Sequence, residues 1–143
     1  MKVLLLNGSP RKNGCTYTAL NVVADALKAE GIDAEVFQAG DPDMKNVKAA
    51  AAKLKDSDAL VVGSPVYWAS PSGQIIEFMD RLASVAGKDM LYKPAAAVAS
   101  ARRAGTTATL DVLTKYFSYH QMPVVSSCYW NMVHGNTPEE VMK

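Results

Sequence analysis

The chain has 143 residues, 49% of them hydrophobic, which is enough material for one buried core and leaves little for a second domain. Its 15 basic and 14 acidic residues leave a formal charge of +1, so nothing suggests a nucleic-acid partner or an anionic membrane. The cysteines Cys15 and Cys128 lie far apart and lack a metal-ligand spacing, which argues against a metal site or a disulfide framework.

The first half of the chain alternates strand and helix patterns. The apolar run Val3–Leu6 is too short for a signal peptide or a membrane span, so we expect a cytoplasmic protein whose first strand is buried. Helical periodicity runs from Thr16 to Glu30. A strand over Asp33–Phe37 and a helix over Met44–Lys55 follow.

The second half continues this alternation. The clearest strand pattern, Ala59–Gly63, runs into an aromatic loop in which Ser70 and Pro71 are predicted to begin a helix that ends near Gly87. Pro94–Ala99 is alanine-rich and is assigned as a strand because it lies between two helices. The next helix and the fifth strand are predicted from these residues: Leu110, Leu113, Tyr116 and Phe117 on one helical face, then Met122–Ser127.

Five strands alternating with helices predict an α/β fold, a flavodoxin-like three-layer sandwich. Right-handed crossovers give a parallel five-stranded sheet in the order 2-1-3-4-5, in one domain over residues 1–143. Thr137-Pro138-Glu139-Glu140 begins a helix, yet the sequence stops at Lys143. We therefore expect exposed apolar surface on the face of the sheet that the first helix also covers. This surface would be covered either by a C-terminal helix missing from this sequence or by a partner subunit.

The loop after the first strand has the composition of a phosphate site. Ser9 and Thr16 offer hydroxyls, Arg11 a guanidinium, and the start of the following helix its backbone N–H groups. Neither a P-loop ending nor a GxGxxG motif is present, so a monophosphate fits better than a nucleotide polyphosphate. The alternative is a solvated basic turn that merely starts a helix.

Two further loops should meet the first at the carboxyl edge of the sheet. Tyr67 and Trp68 can offer flat apolar faces, and the backbone around Pro65 and Val66 can bond a planar polar ring such as a flavin. The alternative is that these aromatics cap the core or pack between subunits. After the fourth strand, either Arg102 or Arg103 could stabilise negative charge on the ring, and the choice between them stays open.

Three segments together resemble the NADPH-dependent FMN reductases and the related iron–sulfur flavoproteins: Gly8–Arg11 with Asn13, Gly14 and Thr16; Gly63–Trp68; and Phe78–Arg81. The resemblance covers nearly the whole chain. It implies that FMN is bound by these residues: Ser9, Arg11, Asn13, Gly14, Cys15 and Thr16 at the phosphate; Pro65, Val66, Tyr67 and Trp68 at the ring; and Ser100, Arg102, Arg103 and Gly105 at its pyrimidine end. Cys15 departs from the small or hydroxyl residue usual there, and the cysteine cluster of the iron–sulfur members is missing.

The resemblance implies hydride transfer from NADPH or NADH to FMN, followed by reduction of free flavin, a quinone or another small acceptor. It also implies a homodimer or homotetramer. Because a flavin carries the reactive chemistry, no catalytic side chain is assigned, and His120 and His134 are given structural roles. Two rivals remain: a flavodoxin-type electron carrier without nicotinamide activity, and a binding module that has lost the cofactor.

Overall fold

Five parallel strands and one short antiparallel strand make up the sheet in the computed structural model, which describes every residue from Met1 to Lys143. Their bounds are β1 (Lys2–Asn7), β2 (Asp33–Gln38), β3 (Ala59–Tyr67), β4 (Ser70–Pro71), β5 (Ala95–Ala101) and β6 (Met132–His134). The order is β2-β1-β3-β5-β6, with β4 paired to the end of β3. The parallel strands, counted along the chain, therefore follow the predicted order 2-1-3-4-5.

Helices cover both faces of the sheet and complete the predicted three-layer sandwich. They are α1 (Cys15–Ala29), α2 (Met44–Lys55), α3 (Gly73–Met90), α4 (Thr106–Tyr119) and α5 (Pro138–Val141). Alternate residues of β1 point to opposite faces: Leu4 and Leu6 belong to the larger core with α2, α3 and α4, whereas Val3 and Leu5 belong to the smaller core with α1. No helix is long and apolar enough to cross a membrane.

An open groove lies on the α1 face of the sheet. Thr137 caps α5 by accepting a hydrogen bond from the Glu140 N–H, and Pro138 occupies the first turn, but the helix has only four residues. The groove measures about 570 Å³ and is lined mainly by apolar side chains, among them Val22, Val98, Trp130, Val133 and Met142. Apolar surface is therefore exposed where the sequence predicts it; what covers this surface stays a prediction.

The fifth parallel strand lies later in the chain than predicted. Met122–Ser127 makes only one isolated bridge, at Val124, and residues 126–130 then leave the sheet. The chain returns as Met132–His134, which pairs with Ala99–Ala101 of β5. The prediction failed because strand propensity alone does not keep a segment in a sheet. Val124 and Val125 favour a strand but are half exposed, so they lack the core packing that would pair the segment with β5 along its length.

The connection between β3 and α3 also differs from prediction. Residues 64–67 continue β3, and Ser70–Pro71 forms β4 across a hairpin, so the cap of α3 is Ser72 and not Ser70. The helix runs past Gly87 to Met90, with non-helical backbone angles at Ala86. β5 likewise extends two residues beyond Ala99, which puts Ser100 in a strand.

Candidate cofactor site

A crevice lies at the carboxyl edge of the sheet, where neighbouring strands end at different heights. β1 ends at Asn7, opposite Gly63 of β3. β3 and β5 continue together beyond that level, with Pro65 paired to Ser100. The chain leaves β1 towards α1 on one face and β3 towards α3 on the other, which creates the switch-point crevice of an open α/β sheet.

The crevice holds a cleft of about 170 Å³ to which all three predicted loops contribute. Most of the predicted site residues line it: Ser9, Arg11, Gly14, Cys15, Thr16, Pro65, Val66, Tyr67, Ser100 and Arg102. Ala101, Gly135 and Asn136 complete its wall. The structure therefore brings together segments that are about 90 residues apart along the chain.

The start of α1 presents unpaired backbone donors to the cleft. Gly14 is the N-cap and supplies no side-chain hydrogen bond, and the first turn carries no acidic residue. The N–H groups of Cys15, Thr16 and Tyr17 donate to no carbonyl or side chain, and the first intrahelical bond runs from Thr18 N to Gly14 O at 3.0 Å. Together with the helix dipole, these donors favour an anion at this position.

Three hydroxyls stand beside these donors. Ser9 is only 4% exposed, and its Oγ accepts from the Arg11 N–H at 3.1 Å, which leaves its own proton free for a ligand. Thr16 Oγ1 and Ser100 Oγ lie 2.7 Å apart and are both buried. Because only one of the pair can donate to the other, the second proton is also available to a ligand in the cleft.

The charges around the cleft are all positive. Arg11 and Arg102 both line it and are exposed. Neither has a carboxylate partner, because the two ion pairs of the chain lie elsewhere, at Lys53–Glu35 and Arg81–Glu77. No aspartate or glutamate is among the lining residues. A doubly negative phosphate fits such a cleft because guanidinium and backbone N–H donors form short charge-assisted hydrogen bonds to it.

Two amide side chains, the buried Asn7 and the partly buried Gln38, fix the loop that carries Ser9, and sequence reasoning missed both. Asn7 Nδ2 donates to Gln38 Oε1 at 2.7 Å, and Gln38 Nε2 donates to the Ser9 carbonyl at 2.7 Å. Asn7 Oδ1 accepts from the Ser9 N–H at 3.2 Å. A Cβ at Gly40 would overlap the Ser9 carbonyl, so only glycine fits there. The available signal was a polar amide residue at the end of each of two adjacent strands, β1 and β2.

Ser72, also missed, ties the start of α3 to the same loop. Its Oγ donates to the Gly8 carbonyl at 2.7 Å and accepts from the Ile75 N–H at 3.2 Å as the helix cap. Its N–H donates to Ser64 Oγ at 3.0 Å. The end of β1, the Ser64 position within β3 and the start of α3 are thereby held in one arrangement.

Four predicted site residues do not line the cleft: Asn13, Trp68, Arg103 and Gly105. Trp68 is 99% exposed at the tip of the β3–β4 hairpin. Gly105 has φ +113° and caps α4, where an added Cβ would lie 2.7 Å from Ala69 Cα, so its role is close packing against the hairpin.

Gly135 and Asn136, in contrast, were missed and do line the cleft. The sequence prediction ended the fifth strand at Ser127 and so gave no reason to bring this later segment to the sheet edge. The Gly135 N–H donates to the Ala101 carbonyl at 3.0 Å, and Cys15 Sγ lies 3.7 Å from the Gly135 carbonyl. No group of three or more His, Cys, Asp or Glu side chains could hold a metal ion.

Together, the fold and the cleft define a flavodoxin-like α/β protein with a positively charged anion site at its switch point. The unpaired N–H groups, the free hydroxyl protons and the lack of carboxylates fit the phosphate of FMN, and Pro65, Val66 and Tyr67 form a wall suited to a flat ring.

Comparison with known proteins agrees with this fit. The family described as NADPH-dependent FMN reductase matches residues 1–137. An iron–sulfur flavoprotein of Methanocaldococcus jannaschii is 30% identical, with 87% of this chain and 76% of that protein aligned. An NADPH azoreductase of Bacillus sp. (strain OY1-2) is 29% identical over 71% of this chain and 59% of its own length. The flavoenzyme FerB, an NAD(P)H:(acceptor) oxidoreductase of Paracoccus denitrificans, superposes with a TM-score of 0.77 at 18% identity, covering 91% of this chain and 78% of FerB, which shows a shared fold.

The chain therefore belongs to the NADPH-dependent FMN reductase family. Membership makes it an NAD(P)H-dependent oxidoreductase with FMN as cofactor and NADPH or NADH as co-substrate.

Proposed function

We propose that this chain binds FMN with its phosphate at the start of α1 and transfers reducing equivalents from NAD(P)H to a small acceptor such as free flavin or a quinone. The observation that carries the proposal is the cleft itself, in which unpaired N–H groups, hydroxyls and Arg11 converge without a carboxylate. Ser9, Arg11 and Thr16 would hold the phosphate.

Bound FMN would supply the hydride chemistry, because hydride transfer to a flavin requires no protein nucleophile or general base. The chain would orient and shield the cofactor. Pro65, Val66 and Tyr67 would line one side of the ring, and Ser100 and Arg102 the other. A guanidinium at that end would stabilise negative charge as the ring is reduced.

The nature of the acceptor follows from the openness of the site. Tyr67 lines the cleft and is 40% exposed, so a flat molecule can reach it from solvent. A homodimer or homotetramer and a cytoplasmic location stay predictions.

The proposal is tested by the anaerobic visible spectrum of FMN-reconstituted, gel-filtered protein before and after addition of NADPH. We expect retained yellow colour that bleaches promptly, because the cofactor both binds and accepts hydride. Retained colour without bleaching by NADPH or NADH would contradict the reductase and favour an electron carrier. No retained flavin would contradict the cofactor site.

The phosphate assignment is tested separately with Arg11→Ala and the exposed, unpaired control Lys48→Ala. Loss of a charge-assisted contact should weaken FMN binding by about tenfold or more in Arg11→Ala, measured by fluorescence titration. Riboflavin, which lacks the phosphate, should bind both variants equally. Equal FMN affinities in the two variants would remove Arg11 from the site.

A further inference from the structure

A second hollow, of about 210 Å³, adjoins the cofactor cleft. It is lined by Val66, Trp68, Ala69, Ala101, Arg102, Arg103 and Ala104. Three of these residues, Val66, Ala101 and Arg102, also line the cleft, so the two spaces share a wall. A molecule in the hollow would therefore lie next to the cofactor.

The indole of Trp68 is held out into solvent by a strained turn. Trp68 and Ala69 are the two central residues of the hairpin and have φ of +52° and +60°, in the left-handed region where Asn-Gly is usual. Gly105 packs directly beneath, leaving no room for a Cβ against Ala69 and Val66. The core gains nothing from an indole that is 99% exposed, so the strain is of the kind that accompanies a ligand contact.

The charged part of the hollow is equally without partners inside the chain. Arg102 and Arg103 are exposed, form neither an ion pair nor a side-chain hydrogen bond, and bring two positive charges to one small space. Val66, Ala69, Ala101 and Ala104 supply apolar surface between them. Guanidinium groups pair with carboxylate, sulfonate or phosphate, and both guanidinium and indole stack on flat rings.

We propose that this hollow binds a flat aromatic group that carries a negative charge, beside the FMN. The proposal rests on the proposed function and gives Trp68 and Arg103 to a substrate subsite instead of the flavin contacts. The anionic ring could belong to the electron acceptor or to the phosphorylated adenosine end of NADPH, since both present the same chemistry.

Equilibrium dialysis of FMN-loaded protein against two matched quinones tests the binding. Anthraquinone-2-sulfonate and 2-(hydroxymethyl)anthraquinone share the ring and differ in charge. We expect the sulfonate to bind about tenfold more tightly. In Arg103→Gln the ratio of the two affinities should fall towards one. In Trp68→Leu the binding of both quinones should weaken. The controls Lys88→Gln and Tyr119→Leu change an exposed cation and an exposed aromatic side chain, neither of which lines the hollow or the apolar groove.

The same variants identify the source of the ligand. If Arg103→Gln has a lower kcat/KM for the sulfonate and an unchanged preference for NADPH over NADH, the ligand of the hollow is the electron acceptor. A lower preference for NADPH with unchanged quinone kinetics identifies the coenzyme phosphate. Either result supports the subsite, because each requires Arg103 to discriminate by charge.

Two results would overturn the subsite. One is equal binding of the two quinones by the unmodified protein, or a preference that survives in Arg103→Gln. The other is a tenfold weakening of FMN itself in Trp68→Leu or Arg103→Gln, because the hollow would then belong to the cofactor. Failure of the proposed function looks different: neither NADPH nor NADH bleaches the bound FMN, while dialysis of the FMN-loaded protein against the two quinones can still be measured.

Discussion

Gln38, the last residue of β2, supports the cofactor cleft although it does not line it. Its amide accepts from Asn7 and donates to the Ser9 carbonyl, so it fixes the turn that aims Ser9 and Arg11. Arg11, Ser9 and Thr16 were predictable from sequence because hydroxyl and guanidinium groups before a helix are a recognisable pattern. Gln38 was not, because its contact crosses between strands 31 residues apart.

Replacing Gln38 by alanine should weaken FMN binding about tenfold and leave riboflavin binding unchanged, since only the phosphate loop loses its support. Gln74→Ala, at a partly buried glutamine in the first turn of α3, is the control. Both ligands are titrated by flavin fluorescence. Parallel weakening of FMN and riboflavin would indicate general loosening of the fold instead of a positioning role.

At the scale of elements, helices were easier to predict than connections. α2 coincides with the predicted Met44–Lys55 because an Asp43 cap and an apolar face specify it locally. The β3–β4 hairpin was missed because its central residues, Trp68 and Ala69, lack the Gly or Asn that normally marks such a turn. That error moved the predicted start of α3 by two residues.

The packing of α4 against α3 includes a titratable hydrogen bond. Tyr116 Oη donates to Asp80 Oδ1 at 2.5 Å. Burial, followed by the hydrogen bond to Asp80 and the charge of that carboxylate, raises the pKa of Tyr116 above its ordinary value of 10.0. The folded state therefore favours the protonated phenol, and this stabilisation is complete below pH 10 and lost as the pH rises above it.

We expect the free energy of unfolding, measured with urea, to fall more steeply above pH 10 in the unmodified protein than in Tyr116→Phe. Tyr119→Phe is the matched control, because Tyr119 is 83% exposed on the same helix and should leave the slope unchanged. Identical slopes in all three proteins would mean that the Tyr116–Asp80 contact does not couple helix packing to pH.

For the whole molecule, the layer order and the position of the cleft followed from the alternation of strand and helix patterns. The part beyond Met122 did not, because its course depends on long-range partners. Gly135 bonds to Ala101, and Met132 pairs with Ala99, contacts that no local propensity encodes. The same region forms part of the wall of the apolar groove, beside the four-residue α5.

The groove should bind an uncharged hydrophobic dye such as Nile red in the native state. Val22→Lys places a charge at its wall and should reduce dye fluorescence several-fold without lowering the melting temperature, because Val22 is 49% exposed. Val85→Lys, at a residue 50% exposed on α3 and outside the groove, is the control. An equal reduction in both variants would show that the dye binds elsewhere.

The interrupted fifth strand also affects how the molecule meets its neighbours in a concentrated solution. An uninterrupted outer strand would present a row of free backbone groups that another chain could extend into a larger sheet. Here the outer strand β6 has only three residues, and the bridge at Val124 is isolated. Between these two segments, Asn131 Nδ2 donates a hydrogen bond to the Ala97 carbonyl at 3.3 Å. The departure of residues 126–130 from the sheet thus leaves this edge with few consecutive backbone groups with which another chain could pair.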